Sequence, residues 1–359
     1  EPIALALAGA RVRELLGKLP DRVEVKVSGN IIKNVKSVIV PNTGGLHGIG
    51  PAVCVGIVAG DAAKELQVIS TVSDEQRTAL KVFLETAKLD IQPAPSDLVF
   101  DIDIAVYSGD EFARLRIVNH HTNIVHMEKN GDVLLDLPVA ESSEDRLTDK
   151  SCLNIESVVE FADCVDIEDV RECVGEQIRC NMAIAEEGLR NTWGANIGSV
   201  ILSRQGTLLC KRAAAYAAAG SDARMSGCEM PVIILSGSGN QGITASVPVA
   251  VVAADMGATR EQLLRAVTLS DLVTIHQKAG IGRLSAYCGA ISAGCGAGAG
   301  IAYLRGGKAD AVAHTVVNAI AILSGTICDG AKPSCAAKIA AAVDAGILGY
   351  DMYLENQQF

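Results

Sequence analysis

The chain has 359 residues and a formal net charge of −11 at pH 7, with 31 Lys and Arg against 42 Asp and Glu. Because no basic patch or arm stands out, we expect no nucleic-acid partner, and a hydrophobic content of 49% excludes an intrinsically disordered chain. No apolar run is long enough and sufficiently free of charge and glycine to cross a membrane, so we expect no membrane partner.

The first part of the chain predicts a helix followed by an α+β subdomain. Residues 1–19 predict a helix that packs on a helical domain formed further along the chain. Residues 20–140 predict a two-layer subdomain, because apolar and polar residues alternate at 22–27, at 35–40 and in three later runs, as in half-buried strands. A helical pattern over residues 74–89 separates these runs.

The rest of the chain predicts helices. Residues 141–180 are rich in Asp and Glu and predict an acidic helical linker. Residues 181–359 are helical in pattern throughout and rich in Ala and Gly, which lets helices pack closely. We therefore expect an α+β fold, in which a mostly helical C-terminal domain, joined by the N-terminal helix, carries the inserted α/β subdomain. Such small-residue helices also suit a close homodimer contact.

The eleven cysteines are the most unusual feature of the composition. Their odd number, the length of the chain and the lack of a recognisable signal peptide favour a reducing cytoplasm over a disulfide-rich secreted protein. Four of them, Cys288, Cys295, Cys328 and Cys335, lie near glycines in the last third of the chain. Thiolates select zinc or iron–sulfur clusters, and the spacing is not the paired CxxC of a zinc ribbon. Buried cysteines without a metal remain an equal alternative on spacing alone.

Two segments upstream of these cysteines carry candidate substrate-binding groups. Ser236, Gly237, Asn240 and Gln241 belong to the run Ser-Gly-Ser-Gly-Asn-Gln-Gly, whose backbone N–H groups and polar side chains suit a carboxylate. The alternative is a tight joint between two helices. Further on, Lys278 and Arg283 are candidates for acid–base work or carboxylate binding, and an exposed basic loop is the alternative.

The only cluster of histidines lies in the α+β part, at His120, His121 and His126. Adjacent side chains of a strand point to opposite faces, so His120 and His121 do not easily bind one metal. A structural or surface role is the better interpretation.

In combination these motifs resemble a known family. Glu-Pro-Ile-Ala-Leu-Ala at the start, Pro-Asn-Thr-Gly-Gly, Ser-Gly-Ser-Gly-Asn-Gln-Gly, Gly-Arg-Leu-Ser-Ala-Tyr-Cys-Gly and Ile-Cys-Asp-Gly-Ala-Lys-Pro-Ser-Cys follow one another in order. Together they resemble the L-cysteine desulfidase family and its uncharacterised bacterial relatives, which are related to the alpha chain of iron–sulfur-dependent L-serine dehydratase.

The resemblance implies a 4Fe–4S cluster and a β-elimination on a small amino acid. By motif correspondence Cys288, Cys328 and Cys335 would hold the cluster, and Cys295 would be a spare. L-cysteine would give pyruvate, ammonia and sulfide, whereas L-serine would give pyruvate and ammonia. Lys278 is a candidate for the base that removes the α-proton, and Ser236, Gly237, Asn240, Gln241 and Arg283 would bind the substrate.

One family feature falls just outside the sequence. Members carry a Cys-Thr dipeptide directly before the Glu-Pro-Ile motif, and the resemblance implies an active-site role for that cysteine. This sequence begins at Glu1, inside a predicted helix, so we expect the start to be truncated.

Two other classes of function stay open at this point. One is a pyridoxal-phosphate-dependent amino-acid lyase, in which the 236–242 run would be the asparagine loop and Lys211 the Schiff-base lysine. The other is a non-enzymatic binding protein whose cysteines are simply buried.

Overall fold

The computed structural model describes residues 1–139, 149–282 and 285–359. The described residues form two compact units, of which the first contains residues 1–139 and the second begins at residue 149. The short segment Asp329–Lys332 returns to the first unit, while the chain on either side of it belongs to the second. Within the described ranges no helix is long and apolar enough to cross a membrane.

The first unit is built on a six-stranded mixed sheet. Its strands, in chain order, are β1 (Arg22–Val27), β2 (Lys88–Pro93), β3 (Asp101–Ser108), β4 (Glu111–Val118), β5 (Ile124–Lys129) and β6 (Asp132–Asp136). They lie in the order β2-β1-β3-β4-β5-β6, with β1 and β2 parallel and every other pair antiparallel. In β1 Val23, Val25 and Val27 are buried, whereas Arg22 and Lys26 are exposed, so the predicted alternation is confirmed.

The helices of the first unit are α1 (Pro2–Leu16), α2 (Gly29–Val35), α3 (Ile49–Ala59) and α4 (Asp74–Thr86). The predicted strand over residues 35–40 is wrong, since α2 ends at Val35 and Ile39 makes only an isolated bridge with His47. The strand that pairs in parallel with β1 is instead β2. The predicted 74–89 helix ends earlier, at Thr86, and its last two predicted residues belong to β2. Because the β1–β2 connection runs through α2, α3 and α4, the first two strands in the chain can lie parallel.

The N-terminal helix is a correction to the predicted domain plan. It does not join the helical domain but packs on α3 and on strands β3 and β4 within the first unit. The physical reason is a backbone-to-backbone approach between α1 and α3. A β-carbon on Gly56 would stand 1.9 Å from the carbonyl oxygen of Ala6, and one on Gly9 would stand 2.4 Å from that of Val53. Only glycine permits such a distance.

The second unit is helical. In the described residues it comprises α5 (Ile155–Cys164), α6 (Ile167–Arg190), α7 (Ile197–Gln205), α8 (Leu209–Met225), α9 (Gly239–Met256), α10 (Arg260–Ile281), α11 (Gly289–Leu304), α12 (Ala309–Ile322) and α13 (Cys335–Leu354). Helix α11 lies at its centre and packs against α9, α10, α12 and α13. The α+β class is therefore confirmed, with a sheet in one unit and an Ala/Gly-rich helical core in the other.

The predicted acidic linker over residues 141–180 needs a second correction. Its first residues, up to 148, lie outside the described part of the chain. The remainder forms α5 and the first half of α6, whose apolar faces are packed in the second unit, with Val158, Val159 and Val174 buried. The acidic side chains occupy the opposite, exposed faces of the helices, which is why the composition suggested a linker.

Candidate functional site

Cys288 and Cys328 are brought together by two short extended segments. Tyr287 and Ile327 form an isolated antiparallel bridge, flanked by hydrogen bonds from Cys288 N–H to the Thr326 carbonyl (3.1 Å) and from Cys328 N–H to the Ala286 carbonyl (2.7 Å). Because side chains alternate along an extended segment, the two cysteines share the face opposite to Tyr287 and Ile327. Tyr287 and Ile327 are 59% and 64% exposed, whereas Cys288 is buried.

Cys335 completes a group of three thiols. It is the first residue of α13, and Cys288 is the N-cap of α11, so two helices begin at this group. Burial raises the pKa of the Cys288 thiol, and the neighbouring thiols of Cys328 and Cys335 raise it further. The backbone N–H of Ala290 and the ammonium of Lys338 act in the opposite direction. Since the charges of Cys328 and Cys335 both act on Cys288, the fold brings these three cysteines into one neighbourhood.

Cys295 does not belong to this group. It lies seven residues beyond Cys288 in α11, about 10 Å along the helix axis. Its side chain is buried, and burial raises its pKa to about 12. A thiol in that environment stays protonated at neutral pH, so Cys295 behaves as a packing residue.

The donors in this group are three thiols, the ligand type that zinc and iron–sulfur clusters share. Among the described residues, no three His, Cys, Asp or Glu side chains converge closely enough to hold one metal ion.

Lys338 was not singled out from the sequence. It lies one turn after Cys335 in α13, and its ammonium donates a hydrogen bond to the carbonyl of Ile327 at 3.2 Å. It is therefore a positive charge fixed beside the thiols. The sequence did contain a signal for this residue. Lys338 follows the candidate ligand Cys335 by three residues, and residues three apart in a helix lie on the same face.

Ser236 and Gly237 form a tight turn. Leu235 and Ser238 exchange backbone hydrogen bonds of 3.1 and 3.0 Å across the turn. Ser236 has φ 48° and Gly237 has φ 83°, so both central residues are in the left-handed region, as a type I′ turn requires. The two residues set the direction in which α9 begins.

Asn240, in the first turn of α9, is held by an arginine. Its side-chain oxygen accepts a hydrogen bond of 3.2 Å from Arg224, near the end of α8. The guanidinium passes over Gly239, where a β-carbon would stand 2.4 Å from Nε. Arg224 is a second functional candidate that sequence reasoning missed. The sequence pattern predicts a helix at this position, but it does not show that the end of this helix lies beside the start of α9.

Gln241 lies between the start of α9 and the start of α11. It is only 5% exposed, and its buried side-chain oxygen accepts no hydrogen bond from the described residues. A β-carbon on Gly289 would stand 2.7 Å from the amide carbon and nitrogen and 3.0 Å from the oxygen. The amide therefore sits against the residue that follows Cys288.

The two basic candidates have different outcomes. Lys278 is buried in the last part of α10, so the interpretation as an exposed basic loop is wrong for this residue. Arg283 lies outside the described residues.

A second buried polar pair lies behind the start of α9. Gln177 of α6 donates a hydrogen bond of 2.9 Å to the carboxyl of Asp271 in α10, and the same nitrogen lies 3.5 Å from the carbonyl oxygen of Gly242. Burial raises the pKa of Asp271 to about 7, and the hydrogen bond from Gln177 offsets this only in part.

Two other predictions concern residues elsewhere. Lys211 forms a 2.7 Å ion pair with Asp344 and lies thirteen residues before Arg224 on α8, about 20 Å along the axis. That distance is too long for its side chain to reach the 236–242 turn, which weakens the pyridoxal-phosphate alternative. His126 lies in the first unit between Glu128 and Asp136, at 3.4 and 3.1 Å.

Comparison with known proteins gives a consistent family. The model of the family described as serine dehydratase alpha chain matches residues 63–359. A UPF0597 protein of Desulfitobacterium hafniense is 54% identical over all of this chain and 84% of its own length. UPF0597 proteins of Lachnoclostridium phytofermentans and Finegoldia magna are 47% and 46% identical over all of this chain, each across 86% of its own length.

Proposed function

This chain belongs to the serine dehydratase alpha-chain family, and on that premise we propose that it is an iron–sulfur-dependent lyase acting by β-elimination on a small L-amino acid. The proposed substrates are L-serine, which gives pyruvate and ammonia, and L-cysteine, which gives sulfide in addition. The name of the family favours serine, whereas the motifs at Cys288 and Cys328 resemble the desulfidases.

The observation that carries this proposal is the meeting of three thiols from three separate segments. Cys288, Cys328 and Cys335 lie where α11 and α13 begin, and the charges of the latter two act on the first. The backbone N–H of Ala290 and the Lys338 ammonium favour the Cys288 thiolate, but burial and the two neighbouring thiols outweigh them and raise its pKa.

We propose that these three thiolates hold a 4Fe–4S cluster. When bound, a cluster with three cysteine ligands supplies one open iron as a Lewis acid. The chain itself would bind and orient the substrate through Ser236, Gly237, Asn240, Gln241 and Arg283. The Arg224 guanidinium beside Asn240 adds a positive charge that favours a carboxylate near the start of α9.

Lys278 is the proposed base for the α-proton. Its side chain is buried near the end of α10, and an amine is a chemically suitable base for that proton.

The test is anaerobic purification followed by iron and acid-labile sulfide assays and by product analysis. We expect about four irons per chain, which is the content of one 4Fe–4S cluster. We also expect pyruvate to form from L-serine or L-cysteine. Protein that binds no iron after anaerobic reconstitution, yet forms pyruvate and a borohydride-reducible lysine adduct, would overturn the proposal in favour of a pyridoxal-phosphate enzyme.

A further inference from the structure

The side-chain oxygen of Gln241 is a buried polar atom for which the described residues provide no hydrogen-bond partner. Gln241 is only 5% exposed, and its side-chain oxygen is buried from solvent without accepting a hydrogen bond. Leaving such a group unpaired costs free energy on folding. Buried amides are usually paired, as Gln177 shows. It is about as buried as Gln241, and its side-chain nitrogen donates a hydrogen bond to the Asp271 carboxyl.

The position of the amide points to the candidate site. Gly289 provides the space for it, since a β-carbon there would run into the amide carbon, nitrogen and oxygen alike. Gly289 directly follows Cys288 and opens α11. The amide thus reaches the first turn of α11 beside one of the three thiols, and packing rather than hydrogen bonding holds it there.

An amide offers one acceptor oxygen and two donor hydrogens side by side. The complementary ligand presents a donor and an acceptor close together, whichever way the amide is turned. The zwitterionic head of an α-amino acid has this pattern, with an ammonium as donor and a carboxylate as acceptor. A hydroxy acid without the ammonium, or an amine without the carboxylate, satisfies only half of the amide.

We propose that Gln241 recognises the zwitterionic head of the substrate and makes the site specific for free α-amino acids. The choice of amino acids as the ligand class rests on the proposed lyase function. The pairing of donor and acceptor rests on the Gln241 amide alone. In this role Gly289 is a positioning residue, because it acts through the amide.

The experiment compares Gln241→Met with Gln177→Met in the full chain, with and without iron. Methionine keeps the length of the side chain and removes the amide. We measure the melting temperature of each protein alone and the dissociation constants of the standard L-amino acids, D-glycerate and ethanolamine by equilibrium dialysis. A ligand that binds the folded state raises the melting temperature, which gives a readout independent of turnover.

We expect the Gln241→Met protein to melt no lower than the wild type and to bind L-serine or L-cysteine at least tenfold more weakly. The Gln177→Met protein should melt at a lower temperature than the wild type, because loss of the Gln177 amide leaves the Asp271 carboxyl without its hydrogen-bond donor. D-Glycerate and ethanolamine should bind the wild type at least tenfold more weakly than the amino acid does.

Unchanged amino-acid affinity in Gln241→Met would overturn the inference, as would a wild-type protein that binds none of the amino acids. These outcomes are separable from failure of the proposed function. If the wild type binds an amino acid through Gln241 but forms no pyruvate, recognition stands and the lyase proposal falls. If it forms pyruvate and Gln241→Met binds equally well, the reverse holds.

Discussion

The side-chain amide of Gln241 lies directly against Gly289, where a β-carbon would come within 2.7 Å of the amide carbon and nitrogen. This relationship joins the first turn of α9 to the first turn of α11. It therefore connects the Asn-Gln pair of one motif with Cys288 of another, across 47 residues of sequence. The two motifs lie against each other because a glycine leaves room between them.

Substituting Gly289 tests this relationship. In Gly289→Ala the new methyl group displaces the amide of Gln241, because the end of a side chain moves more easily than backbone. We expect a stability change within about 1 kcal/mol and amino-acid affinity at least tenfold lower. Gly280→Ala is the control, since a β-carbon there meets nothing within 4 Å. Unfolding curves and equilibrium dialysis provide the measurements, and normal affinity in Gly289→Ala would contradict the assigned contact.

A second glycine substitution should act on the fold instead. A β-carbon on Gly294 would stand 2.5 Å from the carbonyl oxygen of Ala342, so α11 and α13 would have to separate. We expect Gly294→Ala to lower the free energy of unfolding by about 2 kcal/mol or more. Because these two helices carry Cys288 and Cys335 at their starts, iron content should fall as well. Urea denaturation, again against Gly280→Ala, checks the first effect, and a stable, fully loaded variant would argue against this packing.

The cysteines should divide into two classes when each is replaced by serine. Cys288→Ser, Cys328→Ser and Cys335→Ser each remove one proposed ligand, so we expect iron and acid-labile sulfide to be lost after anaerobic reconstitution. Cys295→Ser is the matched control and should retain its iron, with a stability loss of about 1 kcal/mol or more from its buried site. Full iron in the Cys335→Ser protein, or loss of iron in Cys295→Ser alone, would reassign the ligands.

The buried Asp271 predicts a pH dependence of stability. Its pKa is about 7 in the folded chain, against an ordinary value of 3.8. Between these values the folded state binds the proton that the unfolded state has released. The contribution of Asp271 to stability is therefore complete below pH 4 and is lost as the pH rises to 7.

Asp271→Asn should therefore gain stability relative to the wild type between pH 4 and 7, by about 1 kcal/mol or more, with no further gain above about pH 8. The asparagine oxygen can still accept the hydrogen bond from Gln177. Asp97→Asn removes an exposed carboxylate and controls for net charge. Parallel unfolding curves for Asp271→Asn and wild type at every pH would show that Asp271 does not titrate in this range.

The period-two pattern at Val23, Val25 and Val27 was sufficient to predict β1, because alternation reports which face of a strand is buried. The same logic failed at residues 35–40, where a short apolar run suits a helix end as well as a strand. The N-terminal helix was correctly expected but placed in the wrong unit. Its partner was decided by how closely Gly9 and Gly56 let α1 and α3 approach, and propensity carries no information on partners.

By itself, the sequence determined the chemical inventory of the candidate site: thiols at Cys288, Cys328 and Cys335, and polar groups after a glycine-rich turn. Residue type and local spacing report such an inventory because they depend only on covalent structure and near neighbours. Only the tertiary structure decided which thiols lie together, that Lys338 and Arg224 face the site, and that Gln241 is buried against Gly289. Those facts depend on packing between helices that are distant in the chain, and packing is a property of complementary surfaces rather than of any one segment.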